Sequence, residues 1–397
     1  MSACSPSRGP LAALAAALVA ALLPGCTPDK PVHGSLTTAL AVVDLDGDHR
    51  LDVVGANTAY AGQVIVPGFV SSRLQDPANP GRFLDPVRSD ACLEPQAMVA
   101  GEVDGDATPP ALVVACPDAQ DAGFVVELLR QDPALPGAFL APLDLVLGDR
   151  RPLDVRLGDV DGDGRVDVAV AADNGSSVQA FLQASDGTFG APLPIDVGGE
   201  PVAVALADLT GAGRLDVVAA LRGGHVAVAL HDTDLGTFKA PMLLVAGSDL
   251  SAVAVADLDG DGIPDLLVTD FTSGTLYVMI GGGAGGFAAA VPHAVGNLGA
   301  LAIAVGDLDG DGRPDVVVAS YGPPGVPGSL SVFLQATTAG VLDAPALYVE
   351  DGPTGVVIGD VTGDGLPDLV AADGAPLVWA QDPAHHGKFL APLALRQ

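Results

Sequence analysis

Ala302-Ile303-Ala304-Val305-Gly306-Asp307-Leu308-Asp309-Gly310-Asp311-Gly312-Arg313-Pro314-Asp315-Val316-Val317-Val318 is the stretch on which the fold turns. Small and branched apolar residues come first, four acids crowd one loop, and an unbroken apolar run follows. The opening residues read as one strand, and the apolar run as a second strand buried on both faces. The pattern returns, most clearly over 252–268. The first acid of its loop, or its equivalent, falls at Asp44, Glu102, Asp159, Asp208, Asp257, Asp307 and Asp360. The steps between them are 58, 57, 49, 49, 50 and 53 residues. A period near 50 marks an array or a propeller before any local detail is read.

Each unit reads as four strands. The first alternates Ala with Val or Ile, as over 202–205, which suits the crowded innermost strand of a radial sheet. The acidic loop and the buried second strand follow, then a third strand such as 225–230. The fourth is expected to open on a Phe with a Pro three residues on, at Phe83/Pro86, Phe139/Pro142, Phe189/Pro192, Phe238/Pro241 and Phe389/Pro392. Leu342/Pro345 is a variant, and Phe287 is followed by Ala290. Pro fits an outermost strand, where one row of N–H groups has no partner. Seven such units predict an all-β, seven-bladed β-propeller over residues 37–397. A linear solenoid is the alternative. The repeat region begins on a first strand and ends on a fourth, so the ring is expected to close by face packing of blade 7 against blade 1.

Composition narrows the function. The formal charge is −32, and the 17 Lys and Arg residues form no run. Phosphate binding needs clustered basic residues, so nucleic acid is excluded as a partner. Aromatics are only 4%, so the core must be built of Val, Ala and Leu. At the N-terminus, Arg8 precedes an apolar run from Leu11 to Leu23, too short for a membrane span and suited to a signal peptide over 1–25. Leu23-Pro24-Gly25-Cys26 resembles a bacterial lipobox, with Pro24 in place of the usual small residue. Cys26 is therefore the expected lipid-bearing residue, followed by a short tether over 26–36. That implies export and anchoring at the bacterial outer membrane or cell surface; plain cleavage near the same place would leave a periplasmic or secreted protein. Cys4 leaves with the signal. Cys92 and Cys116 share one repeat and are read either as a disulfide or as two separate buried thiols.

The loop has the form Asp-x-Asp-Gly-Asp-Gly-x-x-Asp. Carboxylates at positions 1, 3, 5 and 9 and a main-chain carbonyl at position 7 suit Ca²⁺, which takes six to eight oxygens. Four loops carry all four acids: Asp44, Asp46, Asp48 and Asp52 with the carbonyl of Arg50; Asp159, Asp161, Asp163 and Asp167 with Arg165; Asp257, Asp259, Asp261 and Asp265 with Ile263; and Asp307, Asp309, Asp311 and Asp315 with Arg313. His49 stands at position 6 of the first, where the pattern has Gly. A fifth loop offers Asp360, Thr362, Asp364 and Asp368 with Leu366. Loop two (Glu102, Asp104, Asp106, then Pro110) and loop four (Asp208, Thr210, Ala212, Asp216) are degenerate. Four to five calcium ions are expected. An EF-hand would need a bidentate Glu at position 12, where loop six has Val318. A purely structural turn is the other reading.

These loops and blades resemble the FG-GAP/VCBS repeats, the propeller at the N-terminus of integrin alpha subunits. The resemblance covers about residues 37–397 and implies calcium in the hairpin between the first two strands of a blade. Only Phe189-Gly190-Ala191-Pro192 echoes the family's Phe-Gly and Gly-Ala-Pro signatures, so integrin ligand recognition does not carry over. The closer likeness is to bacterial surface and secreted proteins of this type. No catalytic motif emerges. Gly281, Gly283 and Gly286 imitate a dinucleotide pattern but precede no helix. The His385-His386 pair reads as a solvated turn. The chain is therefore read as a non-catalytic interaction or adhesion scaffold with a protein or glycan ligand; the alternative is a lectin-like propeller or a non-catalytic accessory domain of a polysaccharide-processing system. Trp379 is the sole Trp, and the four Tyr are out of register, which disfavours a repeated sugar platform.

Overall fold

The computed structural model describes residues 33–61, 64–105, 109–120, 123–232, 237–336, 338 and 340–395. The signal segment, Cys4, Cys26, most of the tether and Asp106 lie outside the described residues. The rest is all β: seven antiparallel four-stranded sheets, each built from four strands consecutive in sequence apart from one short two-stranded ladder in blade 4. The first strand starts at His33, four residues ahead of the expected boundary.

The innermost strands are His33–Val43, Ala97–Gly101, Pro152–Gly158, Pro201–Ala207, Leu250–Ala256, Ala300–Gly306 and Gly355–Gly359. Each packs beside the next, and the last beside the first, around a central channel of about 560 Å³. Small side chains are what allow seven strands to converge there. Six of the seven second strands begin on the position-9 Asp of the acidic loop; blade 2, with Pro110 at that place, begins on Ala111. Residues of these strands are buried on both faces, as in Asp315–Ser320.

The core is not one mass but seven apolar layers, one between each pair of adjacent blades. Each layer holds one member of the repeated aromatic set. Phe139 seals blade 2 to blade 1, Phe189, Phe238, Phe287, Leu342 and Phe389 act in turn, and Phe83 seals blade 1 to blade 7.

This corrects one expectation. The Phe does not open the fourth strand. It pairs with a residue just past the third strand, as in Gln75 with Phe83 and Gln381 with Phe389. The fourth strands begin later, at Val87, Leu143, Leu193, Met242, Val291, Ala346 and Leu393. The Pro lies immediately before that start in six blades. Having no N–H, it interrupts the pairing, and the chain regains the sheet one residue on.

The ring closes, which removes the solenoid alternative. Leu40, Val53, Val361, Val370, Val378 and Leu395 form the layer between blades 7 and 1. Face packing is helped by hydrogen bonds the sequence did not suggest: Thr37 N donates to Gly374 O at 3.0 Å, and Gln75 Nε2 to Val361 O at 2.7 Å.

Cys92, ahead of the innermost strand of blade 2, is bonded to Cys116 at Cα–Cα 5.9 Å. The disulfide closes a loop of about 25 residues. Replacing both by Ala should cost about 3 kcal/mol of stability in the chain-entropy view, measured by denaturant unfolding. Two free thiols in non-reducing peptide mapping, or an unchanged midpoint, would contradict the bridge.

Candidate metal loops

Up-and-down topology puts all seven loops between first and second strands on one face of the ring. Loop six shows how the backbone is held. Asp307 Oδ1 accepts from Gly310 N at 2.8 Å and Asp311 N at 3.1 Å, and its Oδ2 from Gly312 N at 2.9 Å. Asp311 Oδ1 accepts from Arg313 N at 2.9 Å. Gly310 and Gly312 sit at φ 78° and 83°, the left-handed region that only Gly enters without cost. His49 is held at φ 68° at the same place in loop one.

In the four loops complete in acids, carboxylate oxygens converge. Ligand atoms of Asp44/Asp46/Asp48, Asp159/Asp161/Asp167, Asp257/Asp259/Asp265 and Asp307/Asp309/Asp311 lie within 4.8 Å of one another in each loop. The donors are hard oxygens, with no sulfur or imidazole among them. Burial raises Asp46 and Asp309 above the ordinary carboxylate range, and the neighbouring acids raise them further. Burial takes Asp52 and Asp315 to about 6, against the lowering by the N–H groups they accept. The set fits a divalent cation that demands oxygen. The guanidinium of Arg165 folds onto Asp163 and donates to Gln183 O at 2.7 Å, and that of Arg313 folds onto Asp311 and donates to Gln335 O at 3.5 Å. Asp360, Asp364 and Asp368 keep the same trace in loop seven, where Asp360 accepts from Gly363 N at 2.7 Å and Gly365 N at 2.8 Å.

The two degenerate loops differ in how they are held. In loop two, Arg130 makes a forked pair with Asp104 at 2.7 and 2.9 Å. Loop four retains the backbone of the full loops, with Asp208 accepting from Ala212 N and Gly213 N. Its Arg214 reaches back to the carbonyl of Asp161 in loop three at 2.9 Å.

Position 9 has a second role that the metal-ligand pattern concealed. Asp315 is 1% exposed; its Oδ2 accepts from Leu308 N at 2.8 Å and its Oδ1 from Gln335 N at 2.7 Å. It ties the loop to the end of the third strand. Asp52, Asp167, Asp265 and Asp368 repeat the clasp. So does Asp216 in loop four, where the acids at positions 3 and 5 are gone.

Elsewhere, the turn after the third strand of blade 7 leans over loop six. That is where His386 lies, its Nδ1 3.3 Å from Asp309 O, while His385 pairs with Asp382. Gly281, Gly283 and Gly286 form a turn, as expected. Asp154 and Arg156, 2.6 Å apart, are the channel's charged residues among those described. Trp379 is buried and hydrogen-bonded to Glu350, which burial raises to about 7.

Seven four-stranded blades closed in a ring define the molecule as a seven-bladed β-propeller. Residues 159–219, 208–268 and 257–318 each match the FG-GAP-like repeat. The chain is a β-propeller that carries FG-GAP-like repeats over residues 159–318. No curated protein matches it significantly. Solved propellers are similar in fold. One is an Agrocybe aegerita lectin that recognises non-reducing terminal N-acetylglucosamine, at TM-score 0.55 and 21% identity over 82% of this chain and 87% of that one. Another is the periplasmic gluconolactonase of Pseudomonas aeruginosa, at 0.56 and 15% over 80% and 86%. A third is BBS1N in complex with ARL6DN, at 0.58 and 13% over 90% and 96%. At these identities the likeness is one of fold alone.

Proposed function

We propose that this propeller is an exported, calcium-loaded scaffold that presents an interaction surface at the cell envelope. The observation that carries the reading is the convergence of oxygen ligands in four loops, in register, on one face of the ring. Loop seven, with Thr362 for one acid, is the fifth site. Calcium supplies charge neutralisation there; the protein's residues supply the oxygen cage and fix the loop to the third strand. The signal-like segment and Cys26 support export and a lipid anchor, with a protein or glycan as the ligand. Catalysis is not part of this reading, although the same fold serves a gluconolactonase. A lectin-like role, which the Agrocybe aegerita neighbour brings to mind, would have to use a platform other than the buried Trp379.

Proximity labelling and a glycan array, each run in about 1 mM calcium and again in chelator, test the proposal. A defined set of ligands lost on chelation is expected. Capture that is the same in both conditions would contradict a calcium-supported surface. Mass spectrometry should find the mature chain beginning at a lipid-modified Cys26; an unmodified N-terminus further on would contradict the anchor.

A further inference from the structure

We propose that Gln75 of blade 1 supplies an oxygen, across the seam that closes the ring, to a calcium ion in loop seven. The inference rests on the calcium reading of the loops and names a ligand that the loop pattern does not contain.

Gln75 is 1% exposed. Its main-chain N–H donates to Asp52 Oδ1 at 2.8 Å, which holds it to its own blade. Its Nε2 donates to Val361 O of blade 7 at 2.7 Å. Because a carbonyl can only accept, that bond fixes which end of the amide is nitrogen. The other end, Oε1, is buried and has no hydrogen-bond partner. A buried carbonyl oxygen without a partner is costly and calls for an explanation.

The oxygen is directed at loop seven. A Cβ placed on Gly363 would lie 3.1 Å from it. Gln75, Asp360 and Gly363 line one notch of about 330 Å³. Loop seven is the loop that lacks a position-3 acid, having Thr362 there. Amide oxygens are ordinary calcium ligands. A neutral oxygen from the next blade would therefore complete a set that is one carboxylate short.

The Nε2 clasp recurs at loops five and six, which carry all four acids, so it is the missing acid that sets loop seven apart. Gln335 Nε2 donates to Leu258 O, and Gln381 Nε2 to Leu308 O at 2.7 Å; each time the acceptor is position 2 of the preceding blade's loop. Their Oε1 atoms are buried without partners as well. The seam has the most at stake, since 286 residues separate Gln75 from Val361 and no chain connection joins the two blades there. An ion bound from both sides would join blade 7 to blade 1.

The test is calcium titration calorimetry on the mature chain, with calcium chloride as the probe, for wild type, Asp360→Ala, Gln75→Leu and Gln75→Glu. Asp360→Ala should lose one ion. Gln75→Leu should weaken that same ion about tenfold, the low end for loss of a supporting ligand, and add no further loss in the Asp360→Ala background. Gln75→Glu, which restores an oxygen but not the N–H donor, should bind that ion at least as tightly as wild type. In chelator Gln75→Glu should melt no higher than Gln75→Leu, since both have lost the bond to Val361 and only Glu leaves a carboxylate buried at the seam. Equal weakening in Leu and Glu, or unchanged affinity in Leu, would overturn the proposal and reduce Gln75 to a hydrogen-bonded clasp. Should Gln75→Leu fail to fold, Gln75→Glu decides alone: weaker binding at the ion removed by Asp360→Ala overturns it. A wild-type chain that binds no calcium would overturn both this inference and the calcium reading. Calcium binding with indifferent Gln75 variants would overturn this inference only.

Discussion

Excess chelator is expected to lower the melting temperature of the calcium-saturated propeller by about 8 °C, and re-added calcium should restore it more fully than magnesium. At roughly 1 mM calcium and a dissociation constant of about 0.1 mM, each ion adds about 1.4 kcal/mol. Four independent sites add about 6 kcal/mol, a large share of the roughly 5–15 kcal/mol of a domain. Unfolding a ring of about 360 residues carries an entropy near 0.75 kcal/mol/K, which converts that loss to about 8 °C. The loop backbones carry their own hydrogen bonds, so the ion-free protein should remain folded, weakened by carboxylates that repel each other. The pH dependence gives a second sign. Asp52 and Asp315, raised to about 6, hold protons in the folded ion-free state that the unfolded chain, with its ordinary value of 3.8, has released. Folding then binds protons, and stability falls as pH rises through about 6. In chelator the protein should melt higher at about pH 5 than at about pH 7.5. In calcium the order should reverse, because the ion needs ionised ligands. A melting curve indifferent to chelator at both pH values would contradict the account.

The position-9 Asp should be the most costly single residue of the loop to remove. Asp216→Ala, in the degenerate loop, leaves the N–H groups of Leu209 and His231 without their acceptor. At about 1–3 kcal/mol for each buried unpaired group, about 3 kcal/mol should be lost, equally in calcium and in chelator. Asp315→Ala should lose a similar amount in chelator and more in calcium, since it removes a clasp and a ligand together. Denaturant unfolding of both variants under both conditions measures this. A near-neutral Asp216→Ala would show that position 9 matters only as a ligand.

The repeat, the four-strand blade, the buried second strand and the small-residue inner strand were all legible because each follows from local periodicity. The acid-rich loops were legible because their spacing is rigid. What escaped notice acts between blades. Gln75, Gln131, Gln183, Gln335 and Gln381 recur just after the third strand, a signal open to sequence reading but overshadowed by the acids. Gln75, Gln183, Gln335 and Gln381 donate to a carbonyl in the preceding blade, at separations such as 286 residues, whereas Gln131 donates to Pro110 O of its own blade. The clasp by Asp315 was hidden because the loop pattern reads the position-9 acid as a metal ligand, while its oxygens accept from Leu308 N and Gln335 N. The Phe was misplaced because a Phe–Pro pair looks like the start of a strand; in the fold it seals a blade interface and the Pro delays the strand.

Equilibrium dialysis of the mature chain against about 1 mM labelled calcium tests the central claim most directly. The account predicts four to five ions per chain, and one fewer in the variant carrying Asp309→Ala and Asp311→Ala. No calcium bound above the level of the dialysis buffer would contradict it.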